Sequence, residues 1–346
     1  FNSFMKVKTK ITNDVIIKET IPSGIDVLDA ILGGGFSVGT LGIIVGPPGC
    51  GKSMIVGKTL GAVQRKYNGK AMVAYLDSEE AVTTIRLSNL GVKYPNIRPY
   101  QDVTVEKVFK FLAGLCLFRE VKNLIDTPAI VVWDSIANTI TQKAREADDI
   151  NKVIGLKARM LSILLPKYVA KMSQYKVCLL AINQLREILA MGQFTPARDL
   201  RMMSSGKDMP GGQSLKFNAF HLVEMKINKI LVTSKPDNKF PFDGVIVSTK
   251  TVKNKLFPPN IPVDIIGNFK TGFSNFWTNF NFLCVNGRLK PGGWNYLINA
   301  PDLKFRTKDS RLTYRTNPEF KKFFDAAVRE TIQTEIIDKN TKIEDD

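Results

Sequence analysis

Leu41-Gly42-Ile43-Ile44-Val45-Gly46-Pro47-Pro48-Gly49-Cys50-Gly51-Lys52-Ser53 is the stretch that decides the fold. Its first five residues form a short apolar run, the length of a buried strand. Gly46 to Ser53 then fits the phosphate-loop pattern GxxxxGK[ST], and a helical-period segment over 52–66 follows. That strand–loop–helix setting separates a working phosphate loop from a chance match. Backbone N–H groups of Gly46, Gly49, Cys50 and Gly51, in a loop shaped by Pro47 and Pro48, are expected to curl around a nucleotide's phosphates. Lys52 is expected to reach the β- and γ-phosphates of ATP, and the Ser53 hydroxyl to ligate Mg²⁺.

Working outward, apolar runs at 71–76, 129–133 and 177–182 repeat the strand signal, with helical segments near 104–119 and 155–173 between them. The alternation predicts an α/β fold: a mainly parallel central sheet covered by helices on both faces. Pro166, inside the third helical segment, predicts a kink or break there. Two stretches, about 139–157 and 185–212, interrupt the pattern and are longer than ordinary connections. Beyond 220 the texture turns to β-branched alternation and then to a Pro- and Asn-rich stretch over 257–300. Asn317-Pro318 opens a last helix as N-cap and first residue, with Phe320, Phe323, Phe324, Ala327, Val328 and Ile332 as its apolar stripe. The expected division is a short N-terminal arm and lead-in at 1–40, an ATPase core at 41–265, and a small α+β C-terminal domain at 266–346.

The chain has 346 residues, 44% of them hydrophobic, enough for a sizeable core. Forty-nine Lys and Arg against 32 Asp and Glu give a net charge of +17, which suits polyanionic partners through counterion release. Cys50, Cys116, Cys178 and Cys284 show no zinc spacing and read as reduced cysteines of a cytoplasmic protein, three of them buried. His221 is the only histidine, which argues against a Ser-His-Asp triad and a His-based metal site. No apolar stretch is long enough to cross a bilayer. The first residue is Phe1, so the sequence reads as a piece of a longer chain.

A phosphate loop needs a second metal contact and a group that positions water. Ala129 to Asp134 is an apolar strand ending in a carboxylate, so Asp134 is the expected partner of Ser53 at the metal. Asp77-Ser78-Glu79-Glu80 follows the 71–76 strand, and Glu79, with Glu80 as rival, is the expected base. Ile182-Asn183-Gln184 ends a further strand at the mouth of the 185–212 stretch, where Gln184 could sense the γ-phosphate.

These elements in this order resemble the RecA/RadA recombinases, most closely the phage branch typified by UvsX. The resemblance runs from about residue 20 to beyond 295. It rests on Ile21–Asp29 with Gly33–Gly35, on Tyr75-Leu76-Asp77-Ser78-Glu79 with Leu90-Gly91-Val92, and on Asp134-Ser135. Asn183-Gln184-Leu185-Arg186, Gly211-Gly212-Gln213-Ser214-Leu215-Lys216-Phe217, Val252-Lys253-Asn254-Lys255 and Gly293-Trp294-Asn295-Tyr296 continue it.

The resemblance implies a helical homo-oligomeric filament with ATP between subunits, in which Lys253 and Lys255 of one protomer complete its neighbour's site. It also implies pairing of single-stranded with double-stranded DNA, held by the two long stretches, with loading by a mediator protein. Arg159, Arg186, Arg198, Arg201, Lys207, Gly211 and Gly212 fall at or near DNA-contacting positions, among the mixed charges of Lys143, Arg145, Lys152, Lys157 and several acids. Two positions depart from the family pattern. Pro166 stands where bacterial members have a DNA-contacting arginine, and Arg86 where a tyrosine stacks on adenine, a task a guanidinium plane can share. A ring helicase and a nucleotide-switched mediator are the alternatives.

Overall fold

In the computed structural model, the described residues are 19–80, 82–93, 99–148, 155–185, 209–234 and 240–341. A two-stranded antiparallel pair, β1 (Thr20–Ile21) with β2 (Phe36–Ser37), flanks helix α1 (Asp26–Leu32). Then come β3 (Leu41–Gly46), α2 (Lys52–Lys66), β4 (Met72–Asp77), α3 (Thr84–Asn89), β5 (Pro99–Tyr100), α4 (Val105–Val121) and β6 (Ala129–Asp134). Next are α5 (Gln142–Glu146), α6 (Leu156–Gln174), β7 (Val177–Gln184), α7 (Gln213–Asn218), β8 (His221–Leu231), β9 (Gly244–Asn254) and β10 (Pro262–Asn268). The chain closes with β11 (Gly272–Phe273), α8 (Asn275–Val285), β12 (Leu289–Lys290), β13 (Asn295–Leu297), β14 (Ala300–Phe305), α9 (Ser310–Thr316), α10 (Pro318–Ile332) and α11 (Lys339–Thr341).

One nine-stranded sheet in the order β11-β10-β9-β8-β3-β7-β6-β4-β5 organises the molecule. From β5 to β8 all pairings are parallel, and β9, β10 and β11 add antiparallel edges. The central strands are apolar throughout because both faces are covered. Leu41, Ile43 and Val45 of β3, with Val131 and Trp133 of β6, join the core under α4 and α6. Ile44, Ile130, Val132 and Leu180 point the other way, into the core under α1 and α2. This is the period-2 alternation of a strand sandwiched between two helical layers.

The parallel register places the carboxyl ends of β3, β7, β6 and β4 along one edge, so Gly46 lies beside Gln184 and Asp77 beside Asp134. Ligands of open α/β sheets bind along that edge.

Three expectations needed correction. Of the kink or break expected at Pro166, the break is not found: helix α6 runs on across this exposed proline, while Leu161, Leu165 and Met172 anchor the other face. Burial of that stripe holds the helix together where proline removes one N–H. Replacing it tests the point: Pro166→Ala is expected to raise stability by about 1–3 kcal/mol, read as a higher urea midpoint, and an unchanged or lower midpoint would contradict this account.

The 139–157 stretch is not all loop, for it holds α5, capped by Thr141 accepting from the Ala144 N–H at 3.1 Å, and the start of α6. Within 257–300 the sequence reading missed α8, whose aromatic residues are too poor a helix signal. Ser274 caps it, accepting from Trp277 N–H at 3.3 Å, and Phe276, Trp277 and Phe280 bind it into a third core.

That core joins α8, α10 and the three-stranded sheet β12-β13-β14 to Leu231 and Ile266 of the large sheet. The boundary expected at 265 therefore falls inside β10. Asn317 caps α10 by accepting from Phe320 N–H at 3.0 Å, with Pro318 first in the helix.

Candidate nucleotide site and its neighbourhood

Between β3 and α2 the chain turns through Gly49 at φ 75° and Gly51 at φ 90°. Both angles lie in the left-handed region, which favours glycine. At Gly51 a Cβ would also sit 2.6 Å from the Phe273 ring. The loop thus keeps a bare backbone facing the helix start, the geometry of an anion cradle. Lys52 Nζ donates to the carbonyls of Gly46 at 2.9 Å and Pro47 at 2.8 Å, which fixes its ammonium over the loop. Cys50 is fully buried and burial pushes its thiol pKa up, so it serves packing.

Ser53 Oγ donates to Asp134 Oδ2 at 2.8 Å, and Tyr75 Oη donates to the same oxygen at 2.6 Å. Asp134 is nearly buried; burial raises its carboxyl pKa, against the lowering effect of these two hydroxyls. Glu79 is exposed but held: its Oε1 accepts from Ser135 Oγ and Asn138 Nδ2, each at 2.8 Å. Buried Asp77 shapes the turn beneath it, accepting from the N–H groups of Glu79 at 3.1 Å and Val82 at 2.9 Å. The rival Glu80 is exposed at φ 52°. Gln184 ends β7 beside Gly46. The amide that ties this strand end to the return of the long stretch is its neighbour: Asn183 Nδ2 donates to Pro210 O at 2.8 Å.

Lys253 and Lys255 stand apart from this group. Lys253 pairs in register with Leu222, which lies beside Ile43, towards the opposite end of β3 from Gly46. Its Nζ donates to the carbonyls of Lys216 and Phe217, both at 2.8 Å, at the end of α7. Burial, then Lys255, lowers its pKa. Lys255 lies over the Phe220 ring, 5.7 Å from its centroid.

Arg159 is exposed on the first turn of α6. Gly211 and Gly212, at φ 107° and 79°, lead into α7. A Cβ on Gly212 would lie 3.2 Å from Ala158 Cβ, so these glycines and Arg159 share one neighbourhood. Arg186, Arg198, Arg201 and Lys207 lie outside the described residues, as do Lys152 and the side chain of Arg86. Two cations of the first stretch are engaged elsewhere. Lys157 Nζ donates to the carbonyls of Ile136, Ala137 and Thr139, each at 3.0 Å, and Arg145 pairs with Asp102.

A model of the RecA N-terminal domain matches residues 2–274, well over half of the chain. The chain belongs to the RecA family. Among curated relatives, the Protein RecA of Nostoc punctiforme is 30% identical over 318 residues, 91% of this chain and 80% of the relative. That of Mycoplasmopsis pulmonis is 27% identical over 278 residues, 80% of this chain and 75% of the relative. That of Heliobacterium modesticaldum is 29% identical over 245 residues, 70% of this chain and 64% of the relative, so there the match spans a little under two thirds of the relative's length.

ATP and Mg²⁺ fit this RecA-family site. The loop turning through Gly49, around which a Cβ would meet nothing within 4 Å, with the Lys52 ammonium fixed over it, suits phosphate oxygens. The Ser53 hydroxyl and Asp134 carboxylate are hard oxygen donors, of the kind magnesium takes beside phosphates and water. Among the described residues no cluster of three His, Cys, Asp or Glu could hold a metal alone. Sequence reasoning missed Tyr75, Ser135 and Asn138, which position Asp134 and Glu79. Tyr75, a polar-tipped residue in the apolar run of β4, was the one available signal.

Proposed function

We propose that this protein is an ATP-dependent recombinase that polymerises as a helical filament on single-stranded DNA and exchanges strands with duplex DNA in recombination and repair. We further propose that it is of the phage type typified by UvsX, working in the cytoplasm of a bacterial host with a loading protein. One observation carries the reading. The strand that borders the phosphate loop through Gln184 also holds, through Asn183, the return of the 185–212 stretch at Pro210. A change at the phosphates is therefore next to the segment proposed to grip DNA.

In this mechanism the loop backbone and Lys52 bind and orient the ATP phosphates. Mg²⁺, when bound, neutralises phosphate charge. Ser53 and Asp134 would hold it, and Tyr75 keeps Asp134 in place. Glu79 accepts the proton of the attacking water, oriented by Ser135 and Asn138. Lys253 and Lys255 of a neighbouring copy close the site and stabilise charge on the transferring group. Gln184 relays the state of the γ-phosphate to the 185–212 stretch, where Arg186, Arg198, Arg201 and Lys207, with Arg159, Gly211 and Gly212, hold the phosphate backbone. Base pairing supplies the sequence recognition.

The test is ATP hydrolysis with and without single-stranded DNA at low and moderate salt, beside Lys52→Ala. Stimulation by single strands that fades as salt rises, absent in Lys52→Ala, is the expected result. Hydrolysis indifferent to DNA would overturn the proposal, and directional unwinding by a closed ring would replace it with a motor.

A further inference from the structure

A second cluster of positive charge lies away from the P-loop, in a cavity of about 630 Å³ between α2, α8 and α9. Lys58 and Arg65 enter it from α2, Arg311 and Arg315 from α9, and Ser274 and Asn275 from the start of α8. No Asp or Glu lines it. Among the described residues none of the four cationic side chains makes an ion pair or a hydrogen bond. The nearest opposing influence on Lys58 is Asp26. Its carboxylate is occupied by the amides of Asn275 at 2.9 Å and Asn279 at 2.7 Å.

Like charges gathered without partners in a partly buried space raise the energy of the charged state. The effect is visible at Lys58, whose pKa is pushed down to about 8 by burial, then by Arg65 and Arg311. Burial, then Arg315, lowers that of Arg311. Lys58 and Arg311 are partly buried and Arg65 and Arg315 stand at the exposed rim, so charge lines the cavity from floor to mouth. Guanidinium forks from two helices suit tetrahedral oxyanions, which accept paired hydrogen bonds. The 11-residue helix α8 also opens here, adding its N-terminal dipole.

We propose that this cavity is a second phosphate-binding site, taking a ligand with more than one phosphate group and fastening the C-terminal elements α8 and α9 to α2. It is distinct from the nucleotide site. Lys58 and Arg65 lie six and thirteen residues beyond Lys52 on α2, about 9 and 20 Å along the helix. Phe273, which lines the cavity, lies with its ring against Gly51 and forms the partition. The ligand is either a free polyphosphate-bearing molecule or consecutive phosphates of a nucleic-acid strand; the oxyanion chemistry is the same.

The experiment is calorimetric titration with inorganic pyrophosphate at low ionic strength, using the full chain carrying Lys52→Ala to weaken the P-loop. Binding is expected to persist in that background. It should weaken at least about tenfold on adding Lys58→Gln with Arg311→Gln, and likewise with the exposed pair Arg65→Gln and Arg315→Gln, which leave the interior untouched. Lys304→Gln with Lys322→Gln removes equal charge elsewhere on the surface and should leave binding unchanged. Loss of all binding in Lys52→Ala alone, or equal weakening by the control pair, would overturn the proposal. A short single-stranded oligonucleotide that displaces pyrophosphate assigns the site to backbone phosphates, and failure to displace assigns it to a free ligand; both outcomes support a phosphate site.

Discussion

Glu79→Gln is expected to lower ATP turnover by about 10²- to 10⁴-fold while nucleotide binding survives. Glutamine keeps an oxygen at the position where Glu79 Oε1 accepts from Ser135 Oγ and Asn138 Nδ2, each at 2.8 Å. The side chain therefore stays in place and only its capacity to take a proton is removed. Single-turnover hydrolysis and equilibrium binding of a fluorescent ATP analogue separate the two effects. Glu80→Gln is the comparison, because Glu80 adjoins Glu79 but starts from a left-handed backbone at φ 52°. Normal turnover in Glu79→Gln with a deep loss in Glu80→Gln would reassign the base.

The second large effect is expected at Lys253. In assembled protein, Lys253→Ala should reduce hydrolysis about 10³-fold or more, the range for removing a cation supplied in trans to a transferring phosphoryl group. Its place towards the amino end of β3, away from Gly46, accords with the proposal that it serves a neighbouring copy. Mixing Lys253→Ala with Lys52→Ala is then expected to restore part of the activity, since an intact phosphate loop meets an intact lysine at some interfaces. Recovery would not occur if Lys253 acted only inside its own chain, by fastening the end of α7 through Lys216 O and Phe217 O at 2.8 Å. Lys253→Arg, which keeps the charge but changes the shape of the head group, should retain the α7 contact better than it retains turnover.

The central architecture was legible because β3, β6 and β7 are buried on both faces and therefore read as unbroken apolar runs. The phosphate loop was legible because its chemistry forces glycine at fixed intervals, and Asp134 and Glu79 were singled out by their positions after apolar strands, where the structure sets Asp134 against Ser53 and Glu79 against Ser135 and Asn138. What stayed hidden depends on tertiary contact. The Tyr75 hydroxyl matters only once β4 lies beside β6. Lys157 looked like one more loop cation, yet the turn after β6 brings three carbonyls to it. Helix α8 is held by the aromatic core it enters, and its own residues, rich in Asn and Phe, give little sign of it. Continuity of α6 through Pro166 has the same origin: a buried stripe outweighs a local preference.

The bond from Asn183 Nδ2 to Pro210 O brings the two flanks of the 185–212 stretch to one point on the sheet edge. Because β7 and α7 are each fixed in the core, the distance this stretch must span is set before its own residues are chosen. For a segment with such fixed endpoints, doubling the number of residues between them adds only about 0.6 kcal/mol of closure entropy. Its length can therefore change at small cost to the fold, leaving the phosphate loop seated where it is.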